Sequence, residues 1–223
     1  MAEVFITGAT GYMGSRLCRE LIARGHSVRA LARAGSESRV APGCTAVTGN
    51  ALDAASYRDA ISGCDTLVHL VGVAHPSPAK AAEFRSIDLA SAREAVAAVS
   101  GSGVRHFVYV GVAHPAPVMK QYIEARCEAE NLVRASGIPS TVLRPWYVLG
   151  PGHRWPYALI PVYWLLEAFP ATRESSRRLG LVTLPQMQAA LVHAVEHPAE
   201  RCNVIEVPDI RRCGSGGRRS RVA

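Results

Sequence analysis

Val4-Phe5-Ile6-Thr7-Gly8-Ala9-Thr10-Gly11-Tyr12-Met13-Gly14 is the stretch on which the fold turns. Val4 to Thr7 is an apolar run of strand length. Three glycines follow at the spacing G-x-x-G-x-x-G, and Met13, Leu17 and Leu21 then recur at i, i+4 and i+8, one face of a helix. Gly25 suits a left-handed cap at the end of that helix. Glycines between a strand and a helix have a physical task. They tighten the turn, let backbone approach a ligand, and let the helix pack closely on the strand.

Backbone N–H groups at the start of such a helix, reinforced by its dipole, attract a pyrophosphate. No lysine follows the glycines, which excludes a P-loop. The residues expected to hold the ligand here are Gly8, Thr10, Gly11, Tyr12, Met13 and Gly14.

Outward from this unit the alternation of strand and helix continues. Apolar runs recur at Val28-Ala32, Thr45-Thr48, Thr66-Val71, His106-Val112 and Ser140-Leu143. Leu67-Val68-His69-Leu70-Val71 and Phe107-Val108-Tyr109-Val110 do not alternate with polar residues, as expected of central strands in a parallel sheet covered on both faces. Helices are expected from about Ala79 to Ser100, from Val118 to Ser136 (ended by Gly137) and near Gln186-Glu196, followed by a strand at Asn203-Val207. No internal repeat interrupts the pattern.

The composition, 48% hydrophobic and 19% charged, belongs to a folded globular chain. Of its 25 basic residues only Lys80 and Lys120 are lysines. Five arginines and no acid lie between Arg211 and Ala223, and without them the formal charge falls from +7 to +2. The near-neutral body argues against a nucleic-acid-binding face, and residues 211–223 are expected to form a solvated, disordered tail. The six cysteines show no C-x-x-C and no histidine at metal-ligand spacing, so no metal site is expected and the thiols suit a reducing compartment. The strand signal by Val4 leaves no room for a secretory leader, which favours the cytoplasm. Trp155 to Pro170, broken by Pro156 and Pro161, is too short to span a bilayer.

The glycine loop resembles that of the short-chain dehydrogenase/reductase superfamily, in its extended and atypical branches. The resemblance continues in Gly49-Asn50-Ala51-Leu52-Asp53, in Val71-Gly72-Val73 and in Leu143-Arg144-Pro145-Trp146-Tyr147-Val148-Leu149-Gly150-Pro151, and covers about residues 1 to 210. It implies an α/β, Rossmann-type doubly wound parallel sheet with a small C-terminal cap (about 151–184), one NAD(P)-binding domain over 1–210. The implied branch is NAD(P)H-binding, NmrA-like or complex-I-accessory-like. By this resemblance Asn50, Ala51 and Asp53 edge the adenine, Val71, Gly72 and Val73 border the cofactor, and Pro145, Tyr147 and Val148 border the nicotinamide. Asp53 also reads as a plain helix N-cap.

NAD-selective sites place an acid at the end of the second strand, where it accepts from the ribose hydroxyls. This chain has Arg33 there, with Arg29, Ser36 and Arg39 nearby. Guanidinium suits a 2′-phosphate, so NADP(H) is favoured, with NAD(H) possible; the alternative is a solvated charge at a strand end.

The superfamily's chemistry uses a tyrosine, a lysine one helical turn later and a serine or threonine after the fifth strand. Tyr122 and Arg126 stand at i, i+4 and share one helix face, with arginine in the lysine slot. Arginine can stabilise a phenolate but cannot give up a proton. Val110-Gly111-Val112-Ala113-His114 stands at the serine slot and carries no hydroxyl. His69, His75, His106 and His114 read as core or loop residues.

Two functions are open. One is an NADPH-dependent oxidoreductase of a small carbonyl or quinone-like substrate, with Tyr122 as proton donor beside Arg126. The other is a dinucleotide-binding sensor or assembly protein without turnover. The aromatic segment 153–170 either covers the substrate or docks on a protein partner or membrane surface. The short stretch after the sixth strand disfavours a sugar-nucleotide epimerase.

Overall fold

The computed structural model describes residues 1–116, 118–151 and 178–216. Nine strands and seven α-helices are described: β1 (Glu3–Thr7), α1 (Gly14–Ala23), β2 (Ser27–Ala32), β3 (Thr45–Thr48), α2 (Arg58–Ile61), β4 (Thr66–His69), α3 (Ala81–Glu83), α4 (Ala90–Val99), β5 (His106–Val110), α5 (Lys120–Ala135), β6 (Ser140–Arg144), β7 (Tyr147–Leu149), β8 (Leu181–Thr183), α6 (Leu184–Glu196), β9 (Cys202–Glu206) and α7 (Val207–Gly216). Seven strands form one sheet in the order β3-β2-β1-β4-β5-β6-β9, and every pair is parallel. The order reverses between β1 and β4, the switch point at whose carboxyl edge doubly wound sheets bind ligands.

Side chains alternate across a strand, and here both sets are buried. Val4, Ile6, Val68 and Val108 pack with Leu17 and Leu21 of α1 and Met187 and Leu191 of α6. Phe5, Leu67, Phe107 and Tyr109 pack on the other face with Ala92 and Ala95 of α4 and Ala129 and Val133 of α5. His69, fully buried in β4, has Thr7 Oγ1 at 2.8 Å from Nδ1 and Ser91 Oγ at 3.3 Å from Nε2. Burial and the nearby Arg126 charge lower its pKa to about 3, so it is a neutral core residue. His106 is alike: Thr141 Oγ1 lies 3.0 Å from Nε2, and burial lowers its pKa to about 4.

Several boundaries differ from the sequence expectation. The expected strand Thr66-Val71 stops at His69, and β5 stops at Val110. The single helix expected over Ala79-Ser100 is broken by a π-helical turn at Phe84–Leu89. The last helix starts before Gln186, because Thr183 and Gln186 form a capping box: Gln186 Oε1 accepts the Thr183 N–H at 2.8 Å, and Thr183 Oγ1 the Gln186 N–H at 3.4 Å. β7 and β8 form a separate parallel pair that the sequence did not suggest.

The expected disordered tail begins too early. Arg211 to Gly216 belong to α7, which Val207 and Ile210, both fully buried, anchor in the core, and Arg211 Nε donates to Leu181 O at 2.9 Å. Residues 217–223 and the aromatic segment 153–170 lie outside the described residues. Among the described residues no helix is long and apolar enough to cross a membrane.

Candidate functional site

The glycine loop lies at the switch point, and each of its outer glycines answers a steric demand. Gly8 has φ +73°, and a Cβ there would sit 2.8 Å from the Leu70 carbonyl carbon, just past β4. A Cβ at Gly14 would sit 2.8 Å from Ala9 Cα and overlap the Gly8 carbonyl, so only glycine lets α1 start this close to β1. Gly11 N–H donates to Gly8 O at 3.0 Å, closing the turn. Met13 at the helix start provides no side-chain cap, which leaves amide donors at the end of α1 to face an anion. A pyrophosphate fits this cradle.

The loop is gripped from the C-terminal half. Gln188 Nε2 of α6 donates to Met13 O at 3.1 Å. Arg16 covers the Tyr12 ring at 4.7 Å and donates to Tyr12 O at 2.8 Å, while a Cβ on Gly150 would overlap the Tyr12 hydroxyl. Val148 and Trp146 pack in the same cluster as Met13, and buried Pro145 accepts the Ala113 N–H at 3.0 Å. Tyr147 meets Trp146 edge-on at 5.5 Å. Trp146 and Val148 thus share the apolar cluster of Met13, while Pro145 is tied to the strip after β5.

At the ends of β2 and β3, Arg33 is exposed, and its guanidinium makes no ion pair or hydrogen bond among the described residues. Arg29 does not join it. Its Nη1 donates to the carbonyls of Ala60 at 2.9 Å and Ser62 at 2.8 Å, so it closes the end of α2 instead. Asn50 and Ala51 form the turn after β3, where Asn50 Oδ1 accepts the Leu52 N–H at 3.1 Å. Asp53 caps the next turn, accepting the Ala55 N–H at 3.1 Å, the plainer of its two readings. Sequence reasoning passed over Glu37. Its carboxylate accepts Thr48 Oγ1 at 2.9 Å, and backbone hydrogen bonding together with Thr48 lowers its pKa, keeping it anionic.

Over the ends of β4 and β5 stands the Tyr122–Arg126 face of α5. The Arg126 guanidinium lies 5.5 Å from the Tyr122 ring centroid, and Tyr122 packs edge-on against Phe84 at 5.0 Å, beside Val73. Arg126 is buried and doubly held: Nη1 donates to Val110 O at 2.9 Å, and Nη2 lies 2.7 Å from Asp88 Oδ1. Burial opposes its charge, but Tyr122, Tyr109 and Asp88 together outweigh that and raise its pKa, so it stays cationic. Asp88, from the π-helical turn, was also missed; a lone acid in a helical run reads as a solvated residue. Its Oδ2 accepts the Val73 N–H at 3.0 Å. Gly72 lies against the Arg126 guanidinium, so the strip Val71-Gly72-Val73 packs on this face of α5.

The serine slot stays empty of hydroxyls. A Cβ at Gly111 would lie 3.5 Å from Tyr109 Cε1 and 3.6 Å from Glu130 Oε2, in ordinary contact. Glu130 is itself engaged, taking Arg144 and Arg134 at 2.6 Å each. His114 is half-buried, and burial and Arg144 lower its pKa. No group of three metal-ligating side chains occurs among the described residues.

Residues 8–155 match the family model described as NAD(P)H-binding. The ceramide reductase of Caulobacter vibrioides is 26% identical over 216 residues, 95% of this chain and 66% of that protein. The 4-hydroxy-2-methyl-3-oxo-4-farnesyl-3,4-dihydroquinoline-1-oxide ketoreductase of Stigmatella aurantiaca is 27% identical over 170 residues, 66% of this chain and 51% of that protein. The chain thus spans between about half and just under two thirds of these relatives. Among solved structures, the Bordetella bronchiseptica enzyme WbmH in complex with NAD+ shares the fold with a TM-score of 0.68 at 22% identity, covering 92% of this chain and 76% of that one. The family match runs from the first glycine of the loop past β7, and the chain belongs to the NAD(P)H-binding family.

Proposed function

We propose that this chain is an NADP(H)-preferring oxidoreductase that reduces a small carbonyl or quinone-like substrate. The observation that carries this reading is the Tyr122–Arg126 face, 5.5 Å from ring to guanidinium, set across from Gly72 at the carboxyl edge of the sheet. Gly8, Thr10, Gly11, Tyr12, Met13 and Gly14 hold the pyrophosphate, Asn50 and Ala51 edge the adenine, and Arg33 takes the 2′-phosphate. Val71, Gly72 and Val73 line one side of the cofactor, and Pro145, Tyr147 and Val148 border the nicotinamide. The bound dinucleotide supplies hydride. Tyr122 donates the proton to the carbonyl oxygen, and Arg126, a permanent cation, steadies the phenolate left behind without relaying a proton. The names of the two relatives, a ceramide reductase and a farnesylated-quinoline ketoreductase, support an apolar carbonyl compound as substrate.

The test is titration of the purified protein with NADPH and NADH, followed by carbonyl and quinone acceptors. Acceptor-dependent NADPH oxidation that Tyr122→Phe abolishes is expected; full turnover by Tyr122→Phe overturns the role of Tyr122.

A second reading, a dinucleotide-binding sensor or assembly protein without turnover, is favoured by two specific features. Arg126 is already occupied by Asp88 and Val110, and residues 110–113 carry no hydroxyl. It predicts dinucleotide binding and a protein partner, with no acceptor-dependent oxidation.

A further inference from the structure

Asp88 is fully buried, and its two carboxylate oxygens serve different elements. Oδ1 lies 2.7 Å from Arg126 Nη2 on α5, and Oδ2 accepts the Val73 N–H at 3.0 Å from the strip after β4. The π-helical turn Phe84–Leu89 carries it, a local widening of the kind that often marks a functional position. A buried ion pair is weak evidence for stability, since well-packed apolar residues in its place are often neutral or stabilising. The pair at Asp88 ties the strip at Gly72 and Val73 to the Tyr122–Arg126 face of α5. A Cβ on Gly72 would stand 3.1 Å from both Arg126 Cζ and Asp88 Oδ1, so the three groups meet at one point.

We propose that Asp88 is a positioning residue of the dinucleotide site. One oxygen fixes the Arg126 guanidinium and the other fixes the Val71-Val73 strip, so Asp88 sets how these two elements meet the nicotinamide half. The inference rests on the reading that the dinucleotide crosses Gly72 with its nicotinamide end toward Tyr122. The adenosine end is held elsewhere, by the glycine loop and the ends of β2 and β3. Loss of Asp88 therefore acts on one half of the ligand only.

That asymmetry is measurable by calorimetric titration of wild type and Asp88→Asn with NADPH and with 2′,5′-ADP, which carries only the adenosine half. If NADH binds the wild type more tightly than NADPH, NADH and ADP form the pair. Asp88→Asn is expected to weaken the dinucleotide by about tenfold to a hundredfold, the range of a hydrogen bond to a charged group, and to leave the half-ligand unchanged. Asp88→Glu is expected to recover part of the loss. Equal weakening of both ligands, or of neither, overturns the inference and leaves the proposed function standing. A wild type that binds neither dinucleotide overturns both. If Asp88→Asn does not fold, Asp88→Asn/Arg126→Gln, which replaces the ion pair by a neutral amide pair, is put through the same titrations. Dinucleotide affinity equal to wild type in that double variant overturns the positioning role.

Discussion

The guanidinium of Arg126 rests against Gly72 so closely that a Cβ on residue 72 would lie 3.1 Å from Arg126 Cζ. Glycine here is a condition for the arginine's place.

Gly72→Ala therefore forces Arg126 out of its pocket or shifts the strip after β4. Overpacking of this kind costs about 1–3 kcal/mol. Chemical denaturation of the variant is expected to show a loss in that range, with dinucleotide affinity reduced alongside. Unchanged stability and affinity would mean that Arg126 has a second resting place.

Gly14→Ala probes the pyrophosphate cradle. Its Cβ meets the Gly8 carbonyl and Ala9 Cα, so α1 must retreat from β1 and carry its amide donors with it. Loss of NADPH and NADH binding together is expected in fluorescence titration, with the far-ultraviolet dichroism of the sheet and helices retained.

Under the proposed function, Arg33 and Glu37 have opposite effects on a 2′-phosphate. Arg33→Ala removes the cation offered to a 2′-phosphate and is expected to weaken NADPH while sparing NADH. Glu37→Gln removes an anion, pinned by Thr48 at 2.9 Å, and is expected to shift the NADPH-to-NADH ratio the other way. Each shift should be about fivefold, the size of an exposed charge interaction. Two ratios equal to the wild type's would remove both residues from cofactor choice.

The sheet edges were readable because short apolar runs bounded by glycines have few other uses; β3 at Thr45–Thr48 agrees with the sequence residue for residue. β4 was overextended because Leu70 and Val71 are as apolar as a strand, while the close approach of Gly8 to Leu70 ends the ladder there. The tail was misjudged because its arginines and glycines look solvated, whereas Val207, Ile210 and Arg211 tie the segment to the core and to β8. The glycine loop and the Tyr122–Arg126 spacing are local patterns, so the sequence displayed them. Asp88 and Glu37 act through partners 38 and 11 positions away, Arg126 and Thr48, and periodicity carries no record of such pairs. Arg29 was grouped with Arg33 by proximity in sequence, but it lies near the start of β2 and Arg33 just past its end, so its side chain reaches the carbonyls at the end of α2 instead.

Stability should fall on mild acidification. His69 and His106 are neutral in the fold, their pKa values lowered to about 3 and about 4 from 6.5. The unfolded chain binds their protons first, so their contribution is complete above about pH 6.5 and is lost as the pH falls toward those lowered values. Between pH 6.5 and 5 the loss is about 2 kcal/mol per histidine. Denaturation midpoints of wild type and His106→Gln at these two pH values check this; the variant should lose less on acidification. An equal loss in both would show that His106 titrates normally.

The central claim is tested most directly by following NADPH consumption with a panel of carbonyl and quinone acceptors, in wild type and Tyr122→Phe side by side. Acceptor-dependent oxidation by the wild type, abolished in Tyr122→Phe with NADPH binding intact, is the predicted result. Tight NADPH binding with no oxidation under any acceptor would contradict it and leave the chain as a dinucleotide-binding protein without turnover.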